Sequence, residues 1–186
     1  MSQSTVILLE KTLIEELSNK TLDRINVKYL CDKIGISRQA YYYHFQDIYA
    51  LLEHVYLTKA DEIIGNNKTY DSWIKGFENV FKTMYQYKDF VINTYKSISK
   101  EYLENFLYSV TYNLLYPILK QQKNHYPSVN DKEISFIAHF YKYAFVGIVL
   151  DWVKRGMNDD YELIIDNFKT VIEGDFSDAL TRFNSK

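Results

Sequence analysis

Apolar residues in this chain recur every three to four positions from one end to the other, and no stretch alternates for longer than a few residues. That spacing is the period of a helix face and not of a strand. Leu9, Leu13, Ile14 and Leu17 mark one helix, and Trp73, Ile74, Phe77, Val80, Phe81 and Met84 mark another. Turn formers are scarce: there are 6 Gly and 2 Pro in 186 residues. That is too few for the turns of an all-β fold, so the sequence predicts an all-α protein. The length is enough to bury a core without cross-links. Cys31 is the single cysteine, so no internal disulfide framework can form.

The start, Met1-Ser2-Gln3-Ser4, has neither the basic nor the long apolar segment of a secretion signal. The most apolar stretch, Ile134 to Val153, is interrupted by His139, Lys142 and Asp151. No membrane span is expected, and the protein is placed in the cytoplasm.

Punctuation sets the expected elements. A helix is predicted over Val27 to Ile34, with Asn26 as N-cap and Gly35 at the left-handed stop. Ser37 caps the next, from Arg38 to about His44. A helix follows Asp47 with Ile48, Leu51, Leu52 and Val55 on one face, and Gly65-Asn66-Asn67 breaks the chain. A short helix is predicted over Asp89 to Ile98. Another follows Ser99 with Leu103, Phe106, Leu107, Val110 and Leu114, and Pro117 is expected to kink it. Asn130 with Glu133, and Asp159 with Glu162, resemble capping boxes and open the last two helices, with Gly156 between them.

The segment Asn26 to Phe45 carries the chemistry. Two short helices flank a glycine turn, the helix-turn-helix plan whose second helix enters the DNA major groove. Val27, Leu30, Cys31, Ile34, Ile36 and Tyr41 can form the inner face, and Ala40 is small enough for close packing. Ser37, Arg38, Gln39, Tyr42, Tyr43 and His44 are left to face outward. Arg and Gln can each make two hydrogen bonds to a base edge. Tyr and His can hold phosphates, which fix register without reading sequence. From Arg24 to Gln46 there are four cations (Arg24, Lys28, Lys33, Arg38) against one acid (Asp32), in a chain of net charge -2. The plain alternative is a solvated helical hairpin. The turn, the small residue and the outward set together favour DNA.

The run Asn26-Val27, Leu30-Cys31, Gly35-Ile36-Ser37 and Tyr42-Tyr43-His44-Phe45, then Leu51-Leu52, resembles the tetracycline-repressor (TetR/AcrR) family of regulators. The resemblance implies an all-helical homodimer. A three-helix N-terminal domain would bind palindromic double-stranded DNA, and a larger helical domain would bind a small molecule and dimerise. We place these at 1–47 and 48–186, with the seam near or within the later part of the helix after Asp47. Asn26 and Lys28 join the outward set as expected DNA contacts. The tail, Phe145-Val146-Gly147-Ile148, Asp151-Trp152 and Gly156, is similar to a subgroup that includes regulators of dihydroxyacetone kinase operons. In many members a Lys at the start of the fourth helix holds a phosphate. Here Gln46-Asp47-Ile48 stands in its place, and Asp47 would repel one.

Ile134 to Val153 is apolar nearly all round, so each of its faces needs cover. One face is expected inside and the other on a second subunit, through Phe136, Phe140, Ala144, Gly147, Phe168 and Ile172. The simpler alternative is the central helix of a monomeric core. Tyr108, Tyr112 and Tyr116 share one helix face. They are candidates for the wall of an effector pocket, with Phe106, His139 and Tyr143, and more distantly Phe90 and Tyr95. Equally, they could cover a surface, and His139 could be an ordinary core histidine. The pocket would suit a largely apolar or aromatic ligand, since Lys and Arg are sparse nearby.

Enzyme readings do poorly. His44, His54, His125 and His139 form no metal-spaced pair, and nucleophile, phosphate-loop and C-x-x-C motifs are absent from the sequence. Glu15-Glu16 and Asp159-Asp160 read as surface or helix-start acids. No catalytic residue, metal or cofactor is expected. The sequence points to a ligand-responsive repressor, with a dimeric protein-binding adaptor as the alternative.

Overall fold

The computed structural model describes residues 3–185. Helices follow one another with no strand among the described residues: α1 (Gln3–Asn19), a 3-10 turn (Leu22–Arg24), α2 (Val27–Ile34), α3 (Arg38–Tyr42), α4 (Ile48–Ile64), α5 (Trp73–Gln86), α6 (Lys88–Ser97), α7 (Lys100–Lys120), a second 3-10 turn (Lys123–His125), α8 (Asp131–Lys154), α9 (Tyr161–Ile172) and α10 (Asp175–Asn184). The all-α fold is as the helical periodicity dictates.

Two compact units form. One takes residues up to Glu62 together with Gln86–Ser99, and the other takes Ile63–Tyr85 with the residues from Lys100 on. The division falls at the far end of α4, in the later part of that helix as one reading of the sequence had it and fifteen residues beyond 47/48, and the first unit is discontinuous. Burial explains the shift. Leu51, Leu52 and Val55 of α4 are enclosed within the first unit, and His54 meets Glu10 of α1 at 2.9 Å.

In the first unit α1 buries Leu9, Leu13 and Leu17 completely, one residue per turn on the inner stripe. α6 packs against it with Phe90 and Val91. It also completes hydrogen bonds that the end of α1 and the following turn cannot make alone. Asn93 Nδ2 donates to the Leu17 carbonyl at 2.8 Å, and the Leu22 N–H donates to Ser97 Oγ at 2.8 Å.

The second unit is built on stacked aromatics. Trp73 of α5 lies flat against Phe145 of α8 (5.6 Å, 12°) and Phe176 of α10 (4.7 Å). Phe77 stacks on Phe168 at 4.0 Å, and Phe81 on Trp152 at 5.1 Å. α8 opens with the expected capping box at Asn130 and Glu133 and runs 24 residues against α7. It is the one helix among the described residues long and apolar enough to cross a membrane, at a mean hydropathy of 1.3. Here Ile134, Ile137, Ala138, Tyr141 and Phe145 of that helix are core residues of the unit.

Two local expectations are corrected, both beyond α8. Pro117 lies inside α7 as expected, and the helix continues to Lys120. It sits exposed in the last turn, where its missing N–H costs one bond and the Pro117 carbonyl still accepts from Gln121 N at 3.1 Å. The cap of α9 is Asp160, one residue later than expected, and its carboxylate accepts from Glu162 N at 2.9 Å. The final helix is two helices. Gly174, at φ 83°, adopts the left-handed conformation that breaks the run after Ile172, and it begins α10.

Candidate nucleic-acid interface

Local chemistry builds the α2–α3 corner. Asn26 Oδ1 accepts from Tyr29 N at 2.9 Å and starts α2. Gly35, at φ 73° and ψ 33°, ends it in the left-handed region. Ser37 Oγ accepts from Ala40 N at 3.1 Å and starts α3. Leu30, Cys31, Ala40 and Tyr41 are buried, as the inner face requires. Val27, Ile34 and Ile36 are half-buried. The Tyr41 hydroxyl donates to the Asp47 carbonyl at 2.8 Å, so the core side of α3 is tied to the start of α4. Burial pushes the Tyr41 phenol well above its ordinary range, which keeps it a donor.

The opposite face is open. Asn26, Lys28, Ser37, Arg38 and Gln39 are exposed, and so are Tyr42 and Tyr43 at 55% and 77%. Exposure on that scale leaves large aromatic area in water next to Arg38 and Gln39. Among the described residues Arg24, Lys28 and Arg38 make no ion pair within the chain, so their charge is available to an external anion.

His44 departs from expectation. Its Nε2 is enclosed and without a hydrogen-bond partner, and its ring packs edge-on to Tyr43 at 5.0 Å. In this conformation that nitrogen cannot reach a phosphate, because its lone position lies beneath the surface rather than on it.

Lys33 is also withdrawn from the patch. It binds the Glu16 carboxylate, which also takes Lys20 (2.5 Å) and the Tyr29 hydroxyl (2.8 Å). Lys20 lies over the Tyr29 ring at 3.8 Å. The bonds from Lys20 and Lys33 pull the Glu16 carboxyl down to about 2. Glu16, expected as a surface acid, is buried, whereas Glu15 is exposed. The signal lay in the stripe itself: positions 9, 13 and 17 face inward, and 16 falls on the same side. This cluster fixes α2, and so the corner, to α1.

The amino end of α4 carries its own anion. Asp47 Oδ1 accepts from Ala50 N at 2.8 Å, capping the helix where many resembling proteins have a phosphate-holding Lys. Ile48, in the Lys position, is half-buried.

The residues expected to line a pocket lie on the seam between α7 and α8. Tyr112 stacks on Tyr116 at 5.6 Å, meets the His139 ring at 4.5 Å, and hydrogen-bonds Ser135 Oγ at 3.0 Å. Tyr108 packs edge-on to Tyr143 at 4.9 Å. Phe106 is half-buried on the same helix. Phe90 instead belongs to the core of the first unit, its ring tilted against Tyr56 at 5.3 Å, and Tyr95 lies on the same helix, α6. The seam is also less apolar than expected, because Lys142 projects into it.

Of the residues expected between subunits, Phe136 and Phe140 are 63% and 61% exposed, with Ala144 and Gly147 exposed beside them. Phe168 and Ile172 are instead buried in the chain's own core. Phe168 is held there by Trp73, Phe77 and Phe145, and Ile172 lies one turn further along the same face of α9. The outward apolar residues of α9 are Leu163 and Val171.

The second unit settles the family. TetR_C_8, a transcriptional regulator C-terminal region, matches residues 71–174. The chain belongs to the TetR-like transcriptional regulators. A solved structure, "Dihydroxyacetone kinase operon activator DhaS", is similar in fold, with a TM-score of 0.72 at 20% identity. The similarity covers 95% of this chain and 98% of that one. No curated protein matches. TetR-like regulators are not enzymes, and membership fixes the broad role as DNA-binding regulation of transcription.

Proposed function

We propose that this TetR-like regulator binds a palindromic operator as a homodimer and releases or remodels it in response to a small effector. The observation that carries the reading is the outward set on α3. Arg38, Gln39, Tyr42 and Tyr43 are exposed side by side, on a helix fixed by Asn26, Gly35 and Ser37, with unpaired Arg24 and Lys28 near the corner. Arg38 and Gln39 read bases in this scheme, and Tyr42, Tyr43, Asn26, Ser37 and Lys28 hold backbone. Two such helices in a symmetric dimer meet half-sites about 34–36 Å apart.

The dimer is supported by the bare stripe of α8, Phe136, Phe140, Ala144 and Gly147, and by Leu163 and Val171 of α9. Apolar side chains so exposed in the single chain call for a cover. The effector biases the separation of the two α3 helices by binding one state more tightly than the other. The side chains of Tyr108, Tyr112, Tyr116, Phe106, His139 and Tyr143 line its site. The sign of regulation follows operator position. A dimer over the promoter represses, and one upstream of it can activate, the role in the name of the DhaS structure. The protein acts in the cytoplasm, where its DNA is.

The test is a mobility shift with the DNA upstream of the protein's own gene, against unrelated DNA, at several salt concentrations. Specific retention with a steep salt slope supports the reading. Equal affinity for both DNAs, or none, refutes it. The adaptor alternative has one specific support, the Asp47 carboxylate occupying the amino end of α4, and it wins only on that null result.

A further inference from the structure

Lys142 is a cation of the α7–α8 seam that makes no ion pair among the described residues. Its Nζ lies 4.8 Å from the ring centre of Tyr143 and 5.6 Å from those of Tyr108 and Tyr112. No carboxylate among the described residues pairs with it. Three π faces compensate a cation only in part, and its N–H donors stay open to an anionic oxygen. Around it the seam carries both polar groups and aromatic rings. The Tyr112 hydroxyl meets Ser135 Oγ at 3.0 Å. His139 Nδ1 sits 2.8 Å from the Ser135 carbonyl, an acceptor only, so the proton is on Nδ1. Burial raises the Tyr108 phenol, and the charge of Glu104, one turn before it, adds to the rise.

We infer that this seam is a binding site for a small monocarboxylate with a flat apolar body. The inference deepens the effector reading above and rests on it. The carboxylate takes the Lys142 N–H donors, while the body lies against the rings of Tyr108, Tyr112 and Tyr143. One cation matches one negative charge, and Glu104 disfavours a second. A cationic ligand is excluded by competition: it would have to evict a tethered ammonium that is always at high effective concentration on the same rings.

Calorimetry with the full-length protein, without DNA, tests this with three probes. Benzoate is expected to bind saturably, with neutral benzamide weaker by roughly tenfold or more, since a charge-assisted hydrogen bond separates them. Lys142→Met, which keeps the side-chain length, is expected to lose benzoate affinity by a similar factor. Equal affinity for benzoate and benzamide overturns the proposal, as does benzoate binding unchanged in Lys142→Met. Binding of benzyltrimethylammonium in preference to benzoate overturns it too, by showing a cation cage. The benzoate–benzamide comparison uses wild-type protein alone, so it stands even if the variant misfolds. A mobility shift of the unliganded protein, run in parallel, reports on DNA binding separately. Retention of DNA with no benzoate binding therefore sinks this site and leaves the regulator reading untouched.

Discussion

Replacing Glu16 by Gln removes the charge that three donors converge on while keeping the side chain's shape. The carboxylate takes Lys20 at 2.5 Å, the Tyr29 hydroxyl at 2.8 Å and Lys33. A hydrogen bond to a charged group contributes about 1.5–3 kcal/mol. Both lysines are partly exposed and recover water once released, so the discounted loss is on the order of 2 kcal/mol. The wild-type contribution depends on pH with a definite sign. The folded carboxyl is lowered from 4.5 to about 2. Its stabilisation is therefore complete above the unfolded value and lost as pH falls towards the folded one. Urea unfolding of both proteins at pH 7 and pH 3, followed by circular dichroism, measures this. The wild type should be more stable at pH 7, by several degrees in a parallel thermal melt. The gap should narrow at pH 3, because Gln has no proton to gain. Equal stability at pH 7, or a gap that does not shrink on acidification, would refute the account of Glu16 as an ionised latch between α1 and α2.

Three further outcomes follow from the same geometry. Arg38→Ala should weaken operator binding by roughly 1–3 kcal/mol and relax preference at one base pair, read by competition with operator variants at fixed salt. Asp47→Asn keeps a capping oxygen for Ala50 N and removes the charge that faces phosphate, so operator affinity should rise several-fold at low salt with little change in melting temperature; weaker binding would show that the carboxylate helps docking. Phe140→Asp places a charge in the bare stripe of α8 and should yield a monomer by sedimentation, while a wild type that sediments as a monomer at micromolar concentration removes the basis for a dimer.

The parts legible in the sequence are those fixed by neighbours along the chain. Asn26, Gly35 and Ser37 set α2, the turn and α3 through hydrogen bonds and one backbone conformation within four residues of each, and the structure keeps all three. The capping box at Asn130 and Glu133 is equally local. Direction in space is not local. Phe168 and Ile172 have the same apolar character as Phe136 and Phe140, yet the first pair is covered by Trp73 and Phe145 and the second is bare. Only the packing of α5 and α8 decides that. Glu16 was missed because a carboxylate in an apolar stripe reads as exposed until its lysines are seen to come from α2 and the end of α1. The enclosed Nε2 of His44 depends on rings of three successive residues, and its composition gives no hint of it. Gly174 was a missed signal of the local kind, a glycine where an apolar run could have continued.

The discontinuous first unit has a consequence for how the protein is made and remade. The Leu17 carbonyl and the Leu22 N–H find their partners on Asn93 and Ser97, some seventy-five residues further along. A nascent chain that has delivered α1 to α4 still lacks Phe90, Val91 and these two side chains. The first unit therefore lacks these contacts while the ribosome is translating α5, although its first four helices emerged earlier. The same dependence limits evolution and engineering by exchange. A head cut at residue 47 or 62 and grafted onto another regulator leaves its keystone helix behind. A working chimera must carry residues 86–99 with it and so needs three junctions, where a simple two-domain protein would need one.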